Sequence, residues 1–208
     1  MTNPWLERWA VNQIGWHEAE GNRYLQAFCD WTGRKVLVPL CGKTPDLRWL
    51  ADRGNTVVGV ELAELAAEAF FREQSLDFER VAGALPEYRS LDGALRIVVG
   101  DVFSFEETGF DALFDRAALV ALPPDVRQRY VNHLARRLNA DFDHLLITLE
   151  YPQEMVKGPP YAVMRDEVGR YYPDLALLAE EDDLPNAPPK FREAQVPFMR
   201  ELAWRRRR

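Results

Sequence analysis

The sequence has little of what marks metal-binding, secreted or membrane proteins. It contains two cysteines, Cys29 and Cys41, and neither lies at the spacing of a zinc site. So few thiols favour a reduced, cytoplasmic protein without a bound metal. No apolar run approaches the roughly 18 residues of a membrane helix. The first residues also lack the apolar stretch of a secretion signal.

Positive charge is in short supply as well. The chain has 26 lysine and arginine residues against 33 aspartate and glutamate residues, which gives a net charge of −7. This balance disfavours binding to nucleic-acid phosphates. We therefore expect no nucleic-acid partner, and the lack of a long apolar run gives no reason to expect a membrane either. The Arg205–Arg208 run is interpreted as the solvated end of a strand.

The three-glycine fingerprint of dinucleotide-binding proteins is missing, but one stretch has the plan of a βαβ unit. The apolar run Val36–Leu40 is typical of a strand that is buried on both faces, and Thr56–Val60 is the next strand. Between them lie a loop with the single glycine Gly42 and a short helix. Glu61 follows Gly42 by nineteen residues, close to the spacing of about 20 in nucleotide-binding units.

Parallel strands need right-handed crossovers, so Gly42 and Glu61 are expected at the same edge of the sheet. There the carboxylate of Glu61 can accept hydrogen bonds from both hydroxyls of a ribose. Gly42 lets the backbone approach a ligand closely. The alternative is a βαβ unit without a ligand, whose Glu61 is only solvated.

The remaining pattern predicts one α/β domain over residues 1–208, with about seven strands and helices on both faces of the sheet. Residues 1–33 form a helical N-terminal extension rich in tryptophan, which either packs on the core or closes over the ligand edge. Ser75–Leu95 is interpreted as a connection. Asp183–Val196 shows no obvious helix, so the last strand is predicted to return antiparallel. The other predicted elements are the helices Asn22–Trp31, Glu64–Gln74, Pro124–Asn139 and Met164–Tyr172 and the strands Arg96–Val102, Phe110–Arg116, His144–Tyr151, Leu175–Glu180 and Met199–Arg206.

Five parallel strands with a terminal hairpin are the plan of the class I methyltransferases. Five segments also resemble the thiopurine S-methyltransferase family, in the family's order and from Trp5 to about Val163. They are WLERWAVNQIGWHE, VLVPLCGKTPDLRWLADRGNTVVGVEL, FDRAALVALPP, LLITLEY and GPPYAV. The resemblance implies that the protein binds S-adenosylmethionine and transfers its methyl group to a sulfur atom.

The resemblance also implies roles for particular residues. Trp9 would lie against the methionine portion of the cofactor, Leu40 would offer main-chain contact, and Glu61 would take the ribose hydroxyls. Asp101 and Val102 would border the adenine. The residues assigned to cofactor binding are therefore Trp9, Leu40, Gly42, Glu61, Asp101, Val102 and Arg116.

Arg116 is the one catalytic candidate, because it would stabilise an anionic acceptor or the carboxylate of the donor. The alternative for Arg116 is a structural salt bridge with Asp115 or another carboxylate. Trp16, His17 and Tyr161 are assigned to the acceptor side, where His17 would orient or deprotonate the acceptor.

The chain departs from the family pattern at several positions. Ala63 replaces a serine that would cap the next helix, and Pro152 stands where an aspartate is common. Trp16 and Tyr161 stand where phenylalanine is common. Because the last three belong to the acceptor side, other small nucleophiles stay open as acceptors, namely a halide, a small thiol, or a selenium or tellurium species. An NAD-binding oxidoreductase and a protein that binds the cofactor without turnover are further alternatives. The protein is expected to be a monomer.

Overall fold

The computed structural model describes residues 3–206, so residues 1–2 of the predicted extension and 207–208 of the arginine run lie outside the described residues. The helices are α1 (Pro4–Ala10), α2 (Arg23–Phe28), α3 (Asp46–Ala51), α4 (Glu64–Glu73), α5 (Pro124–Ala135), α6 (Arg165–Tyr171) and α7 (Pro189–Glu193). The strands are β1 (Lys35–Pro39), β2 (Thr56–Glu61), β3 (Phe78–Val81), β4 (Glu87–Ser90), β5 (Leu95–Val99), β6 (Phe110–Asp115), β7 (Leu138–Glu150), β8 (Leu175–Asp182) and β9 (Arg200–Arg206).

The strands form one mixed sheet with a parallel centre. Its order is β3-β4-β5-β2-β1-β6-β7-β9-β8, and β5, β2, β1, β6 and β7 pair in parallel. Pro39 lies opposite Val60, so β1 and β2 end together at the edge where β2 finishes with Glu61 and Gly42 follows β1. The predicted class I methyltransferase plan is confirmed, with nine strands in the described part of the chain instead of about seven.

Alternation along the strands sends side chains into two cores, one on each face. Val36 of β1 packs in a cluster with residues of α2, α3 and α4, whereas Leu37 packs with residues of α5 and α6. Phe70 of α4 and Tyr130 of α5 are fully buried. Burial of a large apolar side chain contributes about 1.5–3 kcal/mol, so both layers of helices are held firmly. The prediction of helices on both faces is confirmed.

The prediction of a connection over Ser75–Leu95 is wrong. β3 and β4 form an antiparallel hairpin there, and β4 also pairs antiparallel with β5. β3 lies at the end of the sheet and buries none of its side chains fully. An edge strand of this kind has a weak apolar pattern, because its pairing depends on the neighbouring strand more than on its own residues.

The carboxyl-terminal strands follow the prediction, and the linker between them does not. β9 pairs antiparallel with both β7 and β8, as expected. The linker contains helix α7, whose Phe191 is fully buried. α5 ends at Ala135, before the predicted Asn139, because β7 already begins at Leu138.

The N-terminal extension is anchored to the core at its second helix. α2 is shorter than predicted and begins after Asn22, whose side chain accepts from the Tyr24 and Leu25 N–H groups. The Asn22 N–H donates to Asp46 Oδ1 at 2.7 Å. Among the described residues, no helix has the length and apolar character to cross a membrane. The one-domain assignment stays a prediction.

Candidate active site

The loop after β1 turns sharply at the carboxyl edge of the sheet. Leu40 has a φ of +48° and Gly42 a φ of +56°. The Cys41 N–H donates to the Val60 carbonyl of β2 at 3.1 Å. A left-handed backbone costs a non-glycine residue about 1–2 kcal/mol, so the surrounding structure must hold Leu40 in place. Strained backbone of this kind is typical of ligand sites.

Glu61 is buried at the end of β2, and its carboxylate braces this loop. Oε2 accepts a hydrogen bond from the Gly42 N–H and Oε1 accepts one from the Ala63 N–H, both at 2.8 Å. Burial raises the pKa of the Glu61 carboxyl, and these backbone N–H groups oppose the shift. A carboxylate has about four acceptor positions, so these backbone contacts leave it able to accept from the hydroxyls of a ribose.

Three tryptophans of the extension pack edge to face above the loop. The ring centroids of Trp5 and Trp16 are 5.1 Å apart, and those of Trp9 and Trp16 are 6.1 Å apart. Trp9 lies directly over Gly42, since a Cβ on that glycine would be 3.3 Å from Trp9 Cζ2. The extension therefore lies on the ligand edge of the sheet as well as on the core.

Arg116 follows β6 and ties the extension to the sheet. Its Nη1 donates to the Trp16 carbonyl at 2.8 Å, and its Nη2 lies 2.6 Å from Glu18 Oε1. The guanidinium therefore has a carboxylate partner, and this partner is Glu18 rather than the neighbouring Asp115.

Asp115 instead holds the turn that presents Arg116. Its Oδ2 accepts from the Tyr130 hydroxyl at 2.9 Å and its Oδ1 accepts from the Leu119 N–H at 3.2 Å. Burial raises the pKa of Asp115 to about 6. Ala117, inside this turn, has a φ of +60°, a second strained non-glycine residue at the same edge.

His17 lies beside this ion pair, where its surroundings disfavour the protonated ring. Burial lowers the pKa of His17, and the positive charges of Lys43 and Arg116 lower it further. Lys43 Nζ is paired with Glu73 Oε1 at 2.6 Å. A neutral imidazole at this position is able to accept a proton.

The end of β5 reaches Glu61 through the backbone. The Gly100 N–H donates to the Glu61 carbonyl at 2.8 Å. Val102 is buried, while Asp101 is exposed and accepts from the Phe103 N–H at 2.9 Å. Asp101 and Val102 therefore follow the third parallel strand beside Glu61, but they do not line the cleft around Arg116.

Leu85 covers this end of β5, a position that was not predicted for it. It lies in the β3–β4 loop, and a Cβ on Gly100 would be 2.5 Å from Leu85 Cδ2. Leu85 also packs against the core cluster that contains Val98 and Val102. Because the hairpin was not predicted, the only signal was an apolar residue within a weakly patterned segment.

Tyr161 is held apart from the other acceptor-side candidates. Its N–H donates to the Val120 carbonyl at 2.7 Å, and its ring packs on Gly158. The peptide bonds Gly158–Pro159 and Pro159–Pro160 are cis. Tyr161 does not line the cleft that contains Trp16 and His17.

Six of the candidates, namely Trp9, Trp16, His17, Leu40, Gly42 and Arg116, line one cleft, and Glu61 lies outside it behind the loop. The cavity volume of this cleft is about 20 Å³, which is room for about one water molecule. Asp46, Lys43 and Thr44 also line it, although the sequence did not single them out as site residues. The lining residues are Trp9, Trp16, His17, Val38, Leu40, Cys41, Gly42, Lys43, Thr44, Asp46, Phe114, Arg116 and Ala117.

Solved structures share this fold. One is the Burkholderia thailandensis 1,6-didemethyltoxoflavin-N1-methyltransferase with bound S-adenosylhomocysteine, at a TM-score of 0.64 and 15% identity over 99% of this chain and 86% of that one. Another is the magnesium protoporphyrin IX methyltransferase of Synechocystis PCC 6803, at a TM-score of 0.58 and 14% identity over 97% of this chain and 84% of that one. The fold, with its site at the carboxyl ends of the parallel strands, is that of a class I S-adenosylmethionine-dependent methyltransferase.

The sequence comparisons give the family. Residues 1–208 match the family Thiopurine S-methyltransferase (TPMT). A thiopurine S-methyltransferase of Nitrosospira multiformis is 39% identical over 95% of this chain and 93% of its own length. One of Pseudomonas fluorescens is 47% identical over 79% of this chain and 77% of its own. The chain belongs to the thiopurine S-methyltransferase family, and it is an S-adenosylmethionine-dependent S-methyltransferase.

Proposed function

We propose that the enzyme methylates the sulfur of a small thiol or thione, such as a thiopurine. One juxtaposition supports this most strongly. Glu61 and Gly42 lie at the carboxyl edge of the sheet, joined by a hydrogen bond of 2.8 Å. Gly42 and Arg116 line one cleft beneath Trp9 and Trp16. The carboxylate that would accept from the ribose hydroxyls, the glycine that lets a ligand approach the backbone and the positive charge of Arg116 therefore lie at the same edge of the sheet.

The cofactor-binding roles follow from these positions. The open acceptor positions of Glu61 take the ribose hydroxyls, and the backbone at Leu40 and Gly42 contacts the ligand. Asp101 and Val102 border the adenine beside Glu61. Trp9, above Gly42, lies against the methionine portion.

The extension must shift for the cofactor to enter. A cavity of about 20 Å³ is far below the roughly 300–1,000 Å³ of small-molecule sites. Trp9 and Trp16 form the roof of this cavity, and the contacts of Arg116 with Trp16 and Glu18 hold it in place. We infer that binding opens the roof and that the tryptophans then exclude water from the reacting atoms.

The bound cofactor supplies an activated methyl group, so the chain mainly has to orient the acceptor in line and keep water out. Arg116 stabilises an anionic acceptor or the carboxylate of the donor. Neutral His17 orients the acceptor or takes its proton. Trp16 and Tyr161 belong to the acceptor side, Trp16 within the cleft and Tyr161 beyond it.

An acceptor screen tests this function. The purified full chain is incubated with methyl-labelled S-adenosylmethionine and either a thiopurine, small thiols, a halide, or a selenium or tellurium species. We expect a labelled thioether from the thiopurine or the thiols. If label appears only in the halide, selenium or tellurium products, the acceptor is one of those nucleophiles and the proposed thiol or thione is wrong. Binding without any labelled product would indicate a cofactor-binding protein.

A parallel calorimetric titration with NAD and S-adenosylhomocysteine tests the oxidoreductase alternative, which predicts binding of NAD alone. A cytoplasmic location, a monomeric state and the lack of nucleic-acid or membrane partners stay expectations from the sequence. Size-exclusion chromatography with light scattering checks the oligomeric state.

A further inference from the structure

The hairpin of β3 and β4 brings its loop to the ligand edge of the sheet. β4 runs antiparallel to β5, with Glu87 opposite Val98, so the loop before β4 lies beside the carboxyl end of β5. The Val99 N–H donates to the Pro86 carbonyl at 2.7 Å and fixes the loop there. Val99 is also the partner of Glu61 in the register between β5 and β2. The loop therefore lies one strand beyond the carboxylate that would hold the ribose.

Leu85 is the residue of this loop that covers the edge. A Cβ on Gly100 would be 2.5 Å from Leu85 Cδ2, so Leu85 lies on the bare backbone of the residue that follows β5. The Gly100 N–H in turn donates to the Glu61 carbonyl at 2.8 Å. Leu85 is only partly buried, so part of its side chain stays accessible to a ligand at this edge.

The base of the hairpin is packed firmly, so the position of Leu85 does not depend on the loop alone. The ring centroid of Phe78 lies 5.1 Å from that of Phe71 and 5.6 Å from that of Tyr88. Such aromatic pairs stabilise a fold beyond the area that they bury. The Tyr88 hydroxyl also donates to Glu64 Oε1 at 3.0 Å, which ties the hairpin to the start of α4.

The position of the ribose determines where the base lies. A nucleoside carries its base and its 5′ substituent at opposite ends of the sugar ring. β1 and β6 lie on one side of β2 and β5 lies on the other. With the methionine portion on the side of Gly42 and Arg116, which line the cleft, the base extends toward β5 and Leu85.

We propose that Leu85 is a further cofactor-binding residue, which covers one face of the adenine ring. This rests on the proposed function, namely on the placement of the ribose at Glu61. An apolar side chain against the flat face of a purine removes apolar surface of both from water. The hairpin then encloses the nucleoside end of the cofactor, while the tryptophans enclose its methionine end.

Leu85→Ala tests the proposal by calorimetry on the purified full chain. The ligands are S-adenosylhomocysteine and 5′-methylthioadenosine, which has the same nucleoside and lacks the amino acid. We expect the affinity for both to fall about tenfold, because apolar contact with the base is lost. Leu85→Met keeps an apolar side chain and should bind nearly as the wild type does. Leu91→Ala is the matched control, since it is the same truncation in the turn after β4, at a side chain 69% exposed.

A second measurement does not depend on a change of affinity. Leucine methyl groups are isotope-labelled for NMR, and the signals of Leu85 are assigned by their absence in Leu85→Met. Saturation of the wild type with S-adenosylhomocysteine should move these signals upfield, because the ring current of a purine shields a methyl group over its face. Homocysteine, which has no base, should leave them in place. The Leu91 signals should stay unchanged with both ligands.

The possible outcomes are distinct. Wild-type affinity in Leu85→Ala, or Leu85 signals that do not move, would overturn the proposal. A loss for S-adenosylhomocysteine without a loss for 5′-methylthioadenosine would also overturn it, because Leu85 would then act on the amino-acid end. If Glu61→Ala binds S-adenosylhomocysteine as the wild type does, the placement of the ribose fails and the proposal fails with it. Weaker binding in Glu61→Ala together with unchanged binding in Leu85→Ala would overturn this inference alone.

Discussion

Trp9 lies across Gly42, so that a side chain on this glycine would meet the indole at 3.3 Å. Gly42 also has a φ of +56° and donates its N–H to Glu61. One residue thus joins the tryptophan roof to the carboxylate beneath it. A substitution at Gly42 is therefore expected to disturb both the packing of the tryptophans and the position of the Glu61 carboxylate.

Gly42→Ala should therefore weaken binding of S-adenosylhomocysteine and shift the tryptophan fluorescence of the free enzyme. The left-handed backbone should also cost about 1 kcal/mol of stability. Calorimetry, emission spectra and denaturant unfolding measure the three effects. Gly93→Ala is the matched control, because Gly93 has a φ of +74° but open space around it. Gly93→Ala should lower the stability but leave the affinity and the fluorescence unchanged. Equal losses of affinity in both variants would contradict the role of Gly42.

Glu61→Ala removes the acceptor of the ribose hydroxyls. Hydrogen bonds to a charged group contribute about 1.5–3 kcal/mol, so the affinity for S-adenosylhomocysteine should fall roughly 10- to 100-fold. Isothermal calorimetry measures it. Glu64→Ala removes a nearby carboxylate that is paired instead with Arg80 and Tyr88, and its affinity should match the wild type. Unchanged affinity in Glu61→Ala would refute the ribose role.

Arg116→Ala removes a cation that lines the cleft and is the partner of Glu18 and Trp16. We expect a lower kcat with a thiol acceptor, roughly 100-fold, because one charge-assisted contact in the transition state is lost. Steady-state kinetics with labelled donor measure this. Arg72→Ala, which removes an arginine 70% exposed on α4 and paired with Glu68, is the control. Wild-type kinetics in Arg116→Ala would exclude it from the reaction.

The sequence predicted the part of the fold that local pattern determines. Val36–Leu40 and Thr56–Val60 are apolar because both faces of a central parallel strand are buried. This fixed the edge at which Gly42 and Glu61 meet, and the structure joins the two by a hydrogen bond. The predicted helix ends were less accurate. The helix predicted to reach Asn139 ends at Ala135, because the next strand already begins at Leu138.

Contacts between distant segments could not be predicted. Glu18 and Arg116 meet only because the extension docks on α3 through Asn22 and Asp46, and no local pattern encodes that docking. Leu85 reaches Gly100 only because β4 pairs with β5. These tertiary contacts decide which charges and apolar groups surround the site, so acceptor specificity was less predictable than cofactor binding.

Asp115 should make the enzyme less stable as the pH rises. Its pKa is about 6 in the folded protein and about 3.9 in the unfolded chain, so the folded state binds more protons between these values. From pH 4 to pH 6 this group should reduce the free energy of unfolding by about 2 kcal/mol. Asp115→Asn keeps an oxygen for the Leu119 N–H or the Tyr130 hydroxyl and cannot titrate. Urea unfolding across this range should show the decrease in the wild type relative to the variant.

His144 should have the opposite effect over the same range. Burial lowers its pKa to about 3, against about 6.5 in the unfolded chain, so the unfolded state binds more protons. This group should therefore raise the free energy of unfolding by about 2 kcal/mol from pH 4 to pH 6. His144→Leu removes the titrating ring from a site lined by Phe142 and Tyr172. Its stability should fall with rising pH relative to the wild type, by urea unfolding.

The two opposing contributions nearly cancel in the wild type, and only the variants separate them. Asp115→Asn should gain stability from pH 4 to pH 6 relative to the wild type, His144→Leu should lose it, and the double variant should restore the wild-type slope. Lys35→Gln, a change at a surface ion pair with Glu107, controls for general charge effects. Parallel profiles in the wild type and both single variants would show that neither buried group changes its protonation on folding.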